Sequence, residues 1–218
     1  MNKNIILCGV GGQGTILASR LIAAAAMKKD IPVKTAETIG MAQRGGSVFS
    51  HLRLGENAHS PLIGKGETDL IIGFEPGETV RQLPFLKKEG VVVVSRRPVM
   101  PVSAMIGMSS YDPEEMIAYL QKNTRHLIVV DSDRAARELG SFKTLNVVLL
   151  GAALQSGELG LDEEDLQFAI QEKVPEKFLE LNKKALSWYK ESRPDIRSRI
   201  INKEEIETCK SVKNSLNR

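Results

Sequence analysis

The stretch Ile5-Ile6-Leu7-Cys8-Gly9-Val10-Gly11-Gly12-Gln13-Gly14 constrains this chain more than any other. An apolar run leads straight into Gly9, Gly11 and Gly14, which fit the spacing G-x-G-x-x-G. The segment Thr15 to Lys29 then reads as a helix, with Ile16, Leu17, Leu21 and Ile22 along one side and small helix formers from Ala23 to Ala26. Strand, glycine turn and helix make the first unit of a Rossmann-like fold. The glycines permit the tight turn, let a ligand approach the backbone and let helix and strand pack closely. Such a turn aims N–H groups outward at the helix N-terminus, where an anion is favoured. Taken alone, Gly9, Gly11, Gly12, Gln13 and Gly14 suit either phosphate contact or a tight turn and nothing more.

Downstream, Ile31 to Thr38 reads as a second strand ending near Glu37. An acid at that distance from the glycines suits a dinucleotide ribose, and equally a solvated strand end. Gly40-Met41-Ala42-Gln43-Arg44-Gly45-Gly46-Ser47 is a loop that sets a cation and an amide beside two glycines. It suits a phosphate, another chain's backbone, or an ordinary turn. Ser47 to Leu54 alternates as a strand, with His51 facing water or a neighbour, and Gly55 to Thr68 is a loop. Asp69 to Gly73, Val91 to Val94 and Leu127 to Asp131 are short apolar runs, the form of strands buried on both faces of a parallel sheet.

Glu75 follows the first of these runs, where it serves a site, an interface or the cap of the next helix. Helices are expected at Thr79–Lys88 (with Pro84 as its weak point), from Asp112 onward, at Ser132–Leu139 ended by Gly140, at Leu145–Gln155, and at Glu163–Lys173 capped by Asp162. Arg96 to Ser110 reads as a loop. Pro175 to Glu191 is amphipathic, with Phe178, Leu181, Ala185 and Trp188 as a core stripe. The expected class is α/β: a doubly wound, mainly parallel sheet with C-terminal helices, in one domain over residues 1–192. Residues 193–218 are a polar tail, expected to be partly disordered or docked on a partner.

Composition narrows the function. Only 5% of residues are aromatic, which argues against base-stacking nucleic-acid surfaces. The net charge is +3, and residues 193–218 hold seven Lys or Arg against four Asp or Glu, so the excess charge lies in the tail. No apolar run reaches membrane-spanning length and no leader pattern precedes the first strand, so a cytoplasmic location is expected. Two cysteines, Cys8 and Cys209, supply neither a disulfide framework nor the four ligands of an iron–sulfur cluster. The histidines His51, His59 and His126 are scattered, no nucleophile elbow is present, and no Walker lysine follows Gly14. No residue is assigned bond chemistry or metal ligation. A Rossmann-like body of this kind is a cofactor-using dehydrogenase or one subunit of a larger enzyme.

Four motifs in order decide between those. Gly9-Val10-Gly11-Gly12-Gln13-Gly14, Met41-Ala42-Gln43-Arg44-Gly45-Gly46-Ser47, Gly73-Phe74-Glu75-Pro76 and Asn146-Val147-Val148-Leu149-Leu150-Gly151 together resemble the gamma-type subunit or domain of 2-oxoacid:ferredoxin oxidoreductases. The Met-Ala-Gln-Arg-Gly-Gly wording favours the indolepyruvate branch, whose beta subunit is of this type. The resemblance runs from residue 3 to residue 190 and leaves the tail outside.

It implies a role in oxidative decarboxylation of an aryl 2-oxoacid to an acyl-CoA, CO2 and reduced ferredoxin. It also implies a larger partner subunit that carries the thiamine diphosphate and iron–sulfur clusters, with no cofactor bound firmly by this chain. By the same resemblance, Gly9, Gly11, Gly12, Gln13, Gly14, Gln43, Arg44, Gly45 and Gly46 are candidates for coenzyme A phosphate contact or for the subunit interface. Two other readings stay open: a stand-alone NAD- or flavin-binding oxidoreductase using Glu37, and a non-catalytic scaffold module.

Overall fold

A computed structural model of the chain describes residues 1–38, 45–56, 58–108 and 110–192. Its centre is β1 (Lys3–Val10), whose Ile5 to Val10 are all buried. Successive side chains of a strand point to opposite faces, so β1 feeds two cores. Ile5 and Leu7 join one core, Ile6 and Cys8 the other. The remaining strands are β2 (Val33–Thr38), β3 (Ser47–Leu54), β4 (Thr68–Gly73), β5 (Leu86–Ser95) and β6 (His126–Val130). They form one sheet in the order β2-β3-β1-β4-β5-β6.

β1, β4, β5 and β6 run parallel, as the short apolar runs predict, while β3 lies antiparallel between β1 and β2. The sheet is thus mainly parallel with one reversed strand. That insertion departs from a simple Rossmann half, in which β2 would lie against β1. Glu37 sits exposed on the edge strand β2, opposite Ser50 of β3. Two strand spacings, roughly 10 Å, separate that position from β1. The register sets Leu52 opposite Ile5, so Leu52 and Leu54 bury in the same core as Ile5 and Leu7.

Helices cover both faces. α1 (Thr15–Lys28), α6 (Leu145–Gln155), α7 (Glu163–Lys173) and α8 (Leu179–Ser192) contribute to the larger core, together with α5 (Ser132–Leu139). α2 (Pro76–Gln82) and α4 (Pro113–Asn123) lie on the other face, where Ile117 and Leu120 of α4 meet Ile6, Ile71 and Val92. α6 is apolar nearly all round and buried from Asn146 to Ala153, because helices and sheet surround it. α8 can lie against α6 at Gly151, where a Cβ would stand 2.1 Å from the Leu186 carbonyl oxygen.

Several expected boundaries move. α2 ends at Gln82, a 3-10 turn covers Leu83–Phe85, and β5 already begins at Leu86, so the helix expected to Lys88 is cut short. Pro84 accounts for the break, since it fits a first turn but not a helix interior. A short helix, α3 (Val102–Met105), lies within the expected Arg96–Ser110 loop. Of the α8 stripe, Ala185 and Trp188 are buried, joined by Leu186 and Tyr189, whereas Phe178 is exposed in the preceding turn.

Of the two surroundings expected for His51, the structure gives the neighbour: it is buried, its Nδ1 accepts a 2.9 Å hydrogen bond from the Ile63 N–H, and the Phe49 and Phe85 rings flank it. The loop after β3 folds back over it, which no local pattern reveals. Burial holds the His51 imidazole below its ordinary pKa.

Candidate functional site at the carboxyl edge of the sheet

Ligands of open α/β sheets gather at the carboxyl ends of the strands, and the predicted glycine residues come together there. Gly11 donates its N–H to the Gly46 carbonyl at 2.8 Å, tying the glycine turn to the start of β3. Gln13 folds back into the turn. Its Oε1 accepts from the Val10 N–H at 2.7 Å, and its Nε2 donates to the Phe74 carbonyl at 2.9 Å. Gln13 is therefore a clamp between the ends of β1 and β4, with both ends of its amide engaged by backbone. Gly9 leaves room for it: a Cβ there would stand 2.6 Å from Gln13 Oε1 and 2.8 Å from Phe74 Cβ. Gly45 and Gly46 border β3, while Gln43 and Arg44 lie outside the described residues.

Gly14 caps α1 in the left-handed region at φ 82°, a conformation that disfavours any Cβ-bearing residue. No side chain among the described residues caps α1, and its first turn holds no acid. Gly12 is exposed, and none of the described residues stands within 4 Å of where its Cβ would be. The first N–H groups of a helix have no partner within the helix. Such a helix start, at the positive end of the dipole, is the kind of place where a phosphate or carboxylate is favoured.

The neighbouring junction is built the opposite way. Glu75, 3% exposed, caps α2 by accepting from the Glu78 N–H at 2.8 Å, so the capping role foreseen for it is the one it plays. Its other oxygen accepts from the Tyr111 hydroxyl, which in turn accepts from the Gly77 N–H at 3.3 Å. Burial pushes the Glu75 carboxyl above its ordinary value, against the lowering effect of these hydrogen bonds. Glu78, also buried, takes a 2.5 Å hydrogen bond from Ser47 Oγ and lies 3.5 Å from Arg81. Cys8 sits beneath this pair. Burial raises its thiol pKa, the Glu78 and Glu75 carboxylates add to the shift, and the thiol stays protonated and unreactive.

Sequence reasoning missed Tyr111, the Ser47–Glu78 bond and Asn146. The last has a visible signal, a lone amide at the head of the apolar run Val147–Leu150. Among the described residues, no three His, Cys, Asp or Glu side chains stand together as a metal site, and no helix is long and apolar enough to cross a membrane.

Comparison with known proteins agrees with this architecture. The family model described as pyruvate ferredoxin/flavodoxin oxidoreductase matches residues 4–187. The chain is 40% identical to indolepyruvate oxidoreductase subunit IorB of Archaeoglobus fulgidus over 187 residues, which cover 85% of this chain and 92% of that one. Among solved structures it resembles the gamma subunit of a keto/oxoacid ferredoxin oxidoreductase from Geobacter sulfurreducens. The TM-score is 0.62 and the identity 23%, over 85% of this chain and 94% of that one. It also resembles part of the 2-oxoglutarate:ferredoxin oxidoreductase of Magnetococcus marinus, solved with 2-oxoglutarate, coenzyme A and succinyl-CoA bound. There the TM-score is 0.65 and the identity 21%, over 87% of this chain but 30% of that longer one. The chain belongs to the pyruvate ferredoxin/flavodoxin oxidoreductase family, as a subunit of a 2-oxoacid:ferredoxin oxidoreductase.

Proposed function

We propose that the chain is the small subunit of an indolepyruvate-type enzyme, and that it supports the conversion of an aryl 2-oxoacid and CoA to an acyl-CoA, CO2 and reduced ferredoxin. The observation that carries this reading is the similarity to indolepyruvate oxidoreductase subunits along nearly their whole length. The larger partner subunit supplies the thiamine diphosphate and iron–sulfur chemistry and passes electrons to ferredoxin. The complex works in the cytoplasm.

Within it, the turn Gly9, Gly11, Gly12, Gln13 and Gly14, with Gln43, Arg44, Gly45 and Gly46, contacts the phosphates of CoA where the subunits meet. The uncapped start of α1 and the open space over Gly12 support that assignment. The chain binds and orients a substrate portion; it does not break or make bonds.

The test is anaerobic affinity purification of the tagged chain from its native host, followed by an assay of indolepyruvate- and CoA-dependent ferredoxin reduction. The expected result is a larger thiamine- and iron–sulfur-containing partner, with activity that needs both chains. A chain recovered alone with bound dinucleotide would overturn the reading.

A further inference from the structure

Beyond the carboxyl end of β5, the chain between Val99 and Tyr111 carries three of the seven methionines within residues 100–108. Met100, Met105, Ile106 and Met108 are between 43% and 79% exposed. Single exposed apolar side chains are ordinary, but four within nine residues need an explanation. At roughly 200 Å² for a large side chain, they hold roughly 500 Å² of apolar surface out to solvent, near the largest patch that a typical monomer carries.

The segment is folded locally and held at both feet. The Ala104 and Met105 N–H groups both donate to the Pro101 carbonyl at 3.0 Å, and the Gly107 N–H returns to the Ala104 carbonyl at 3.2 Å. Gly107 takes φ 75°, which lets the turn close. The two feet reach one buried group, since the Val99 N–H and the Tyr111 hydroxyl both donate to the Glu75 carboxylate. Glu75 is fixed at the start of α2, so the lobe stands on the body of the fold. An apolar surface on a backbone already held in place loses little freedom when it binds.

Charge narrows the partner. Arg96 and Arg97 enter the lobe and are paired within the chain, with Glu114 and Asp133. A face made for lipid offers Lys and Arg to anionic headgroups, whereas here the flanking cations are neutralised. An apolar centre of adaptable methionines with arginines at its rim is the composition of a protein interface.

The lobe shares the carboxyl edge with the candidate site, so an enzyme that completes that site from another chain meets this edge. We propose that residues 100–108 are the docking element for the larger subunit, seated in an apolar groove of that subunit. A standard interface takes about 800 Å² from each partner, so the lobe would supply more than half and the residues around it the remainder. This inference rests on reading the chain as the small subunit of a larger enzyme.

The experiment co-expresses the full chain with the larger subunit and measures their dissociation constant by analytical ultracentrifugation. The variants are the double substitution Met105→Glu with Met108→Glu, and the control Met27→Glu, 66% exposed in the last turn of α1 at the opposite edge. Two charges driven into an apolar contact should weaken assembly about a hundredfold or more. The control should assemble as wild type, and all chains should melt within about 2 °C of one another. In the wild-type complex, amide exchange over residues 100–108 should slow about tenfold or more on assembly.

Wild-type affinity in the double variant, or unchanged exchange over residues 100–108, would overturn the inference and leave the subunit reading standing. A wild-type chain that does not bind the larger subunit would bring down the subunit reading and the inference with it. A double variant that loses only pairing between copies of this chain, or only binding to anionic vesicles, would give the lobe to that contact and overturn the inference. If the double variant does not fold, exchange in the wild-type complex decides.

Discussion

Two neighbouring junctions at the carboxyl edge share a topology and differ in electrostatics. β1 and β4 pair in parallel from Ile5 opposite Leu70 to Cys8 opposite Gly73, and a turn and a helix follow each. Where β1 gives way to α1, the cap is a glycine, no side chain among the described residues caps the helix, and Gly12 is exposed. Where β4 gives way to α2, Glu75 fills the helix end and Tyr111 holds that carboxylate from behind. Each helix presents the same partial positive charge at its start. One junction meets it with a buried acid, and the other has no acid in its first turn. The cap residue, not the strand–turn–helix form, decides which junction is a candidate anion site.

The largest break in this contrast should come from Gly9→Val, which forces a branched side chain between Gln13 and Phe74. Overpacking of that kind should cost about 3 kcal/mol, read by equilibrium denaturation. A loss well under half of that would mean that the Gln13 clamp is soft.

Gly14→Ala comes next. Left-handed backbone costs a Cβ-bearing residue roughly 1–2 kcal/mol, and the new methyl group would also press on Asn146. A neutral result would contradict the conformation of the turn.

On the other side of the comparison, Glu75→Ala should cost about 1 kcal/mol as a lost helix cap, and it leaves the Tyr111 hydroxyl without its acceptor. Glu75→Gln keeps one of the two acceptor oxygens but does not titrate, which sharpens the test with pH. A carboxyl whose folded pKa is raised binds more protons in the folded state. Wild type should therefore lose stability relative to Glu75→Gln as pH rises from the ordinary 4.5 through the raised value. A difference that does not change with pH would show that Glu75 is not strained by burial.

The smallest effect lies away from the edge, at His51. Its folded pKa is lowered, so the unfolded chain binds the proton first and stability falls as pH drops below the ordinary 6.5. His51→Asn offers an acceptor for the Ile63 N–H without titrating, and thermal melts from pH 7 to 5 should then lose part of their slope. An unchanged slope would remove His51 as its source.

Much of the edge is legible in the sequence because its signals are local. The apolar run into Gly9 and Gly14, the acid ahead of α4, and the glycine after α5 each act within a few residues of where they stand. Glu75 is legible as a cap for the same reason, since its oxygen needs to reach only the Glu78 N–H. Burial of His51 is not legible, because it depends on the loop around Ile63 closing over β3. Phe178 misleads by helical spacing alone, for it lies in the 3-10 turn Glu176–Phe178 that precedes α8. The exposed position of Glu37, two strands from the glycine turn, follows from pairing of β3 with β1, and pairing between distant strands leaves no local trace.

By itself, then, the sequence determined the strand–turn–helix unit, the class of sheet, the helix caps and, through four ordered motifs, the family. Each is set by backbone preference and hydrophobic period over short spans. Only the tertiary structure decided how the elements at the carboxyl edge meet. It inserted β3 beside β1, folded Tyr111 onto Glu75 and brought Asn146 against Gly14 across 132 positions of chain. Those contacts form because burying the two faces of the sheet leaves few ways to stack the helices, and a side chain's partner is then whatever that packing puts beside it.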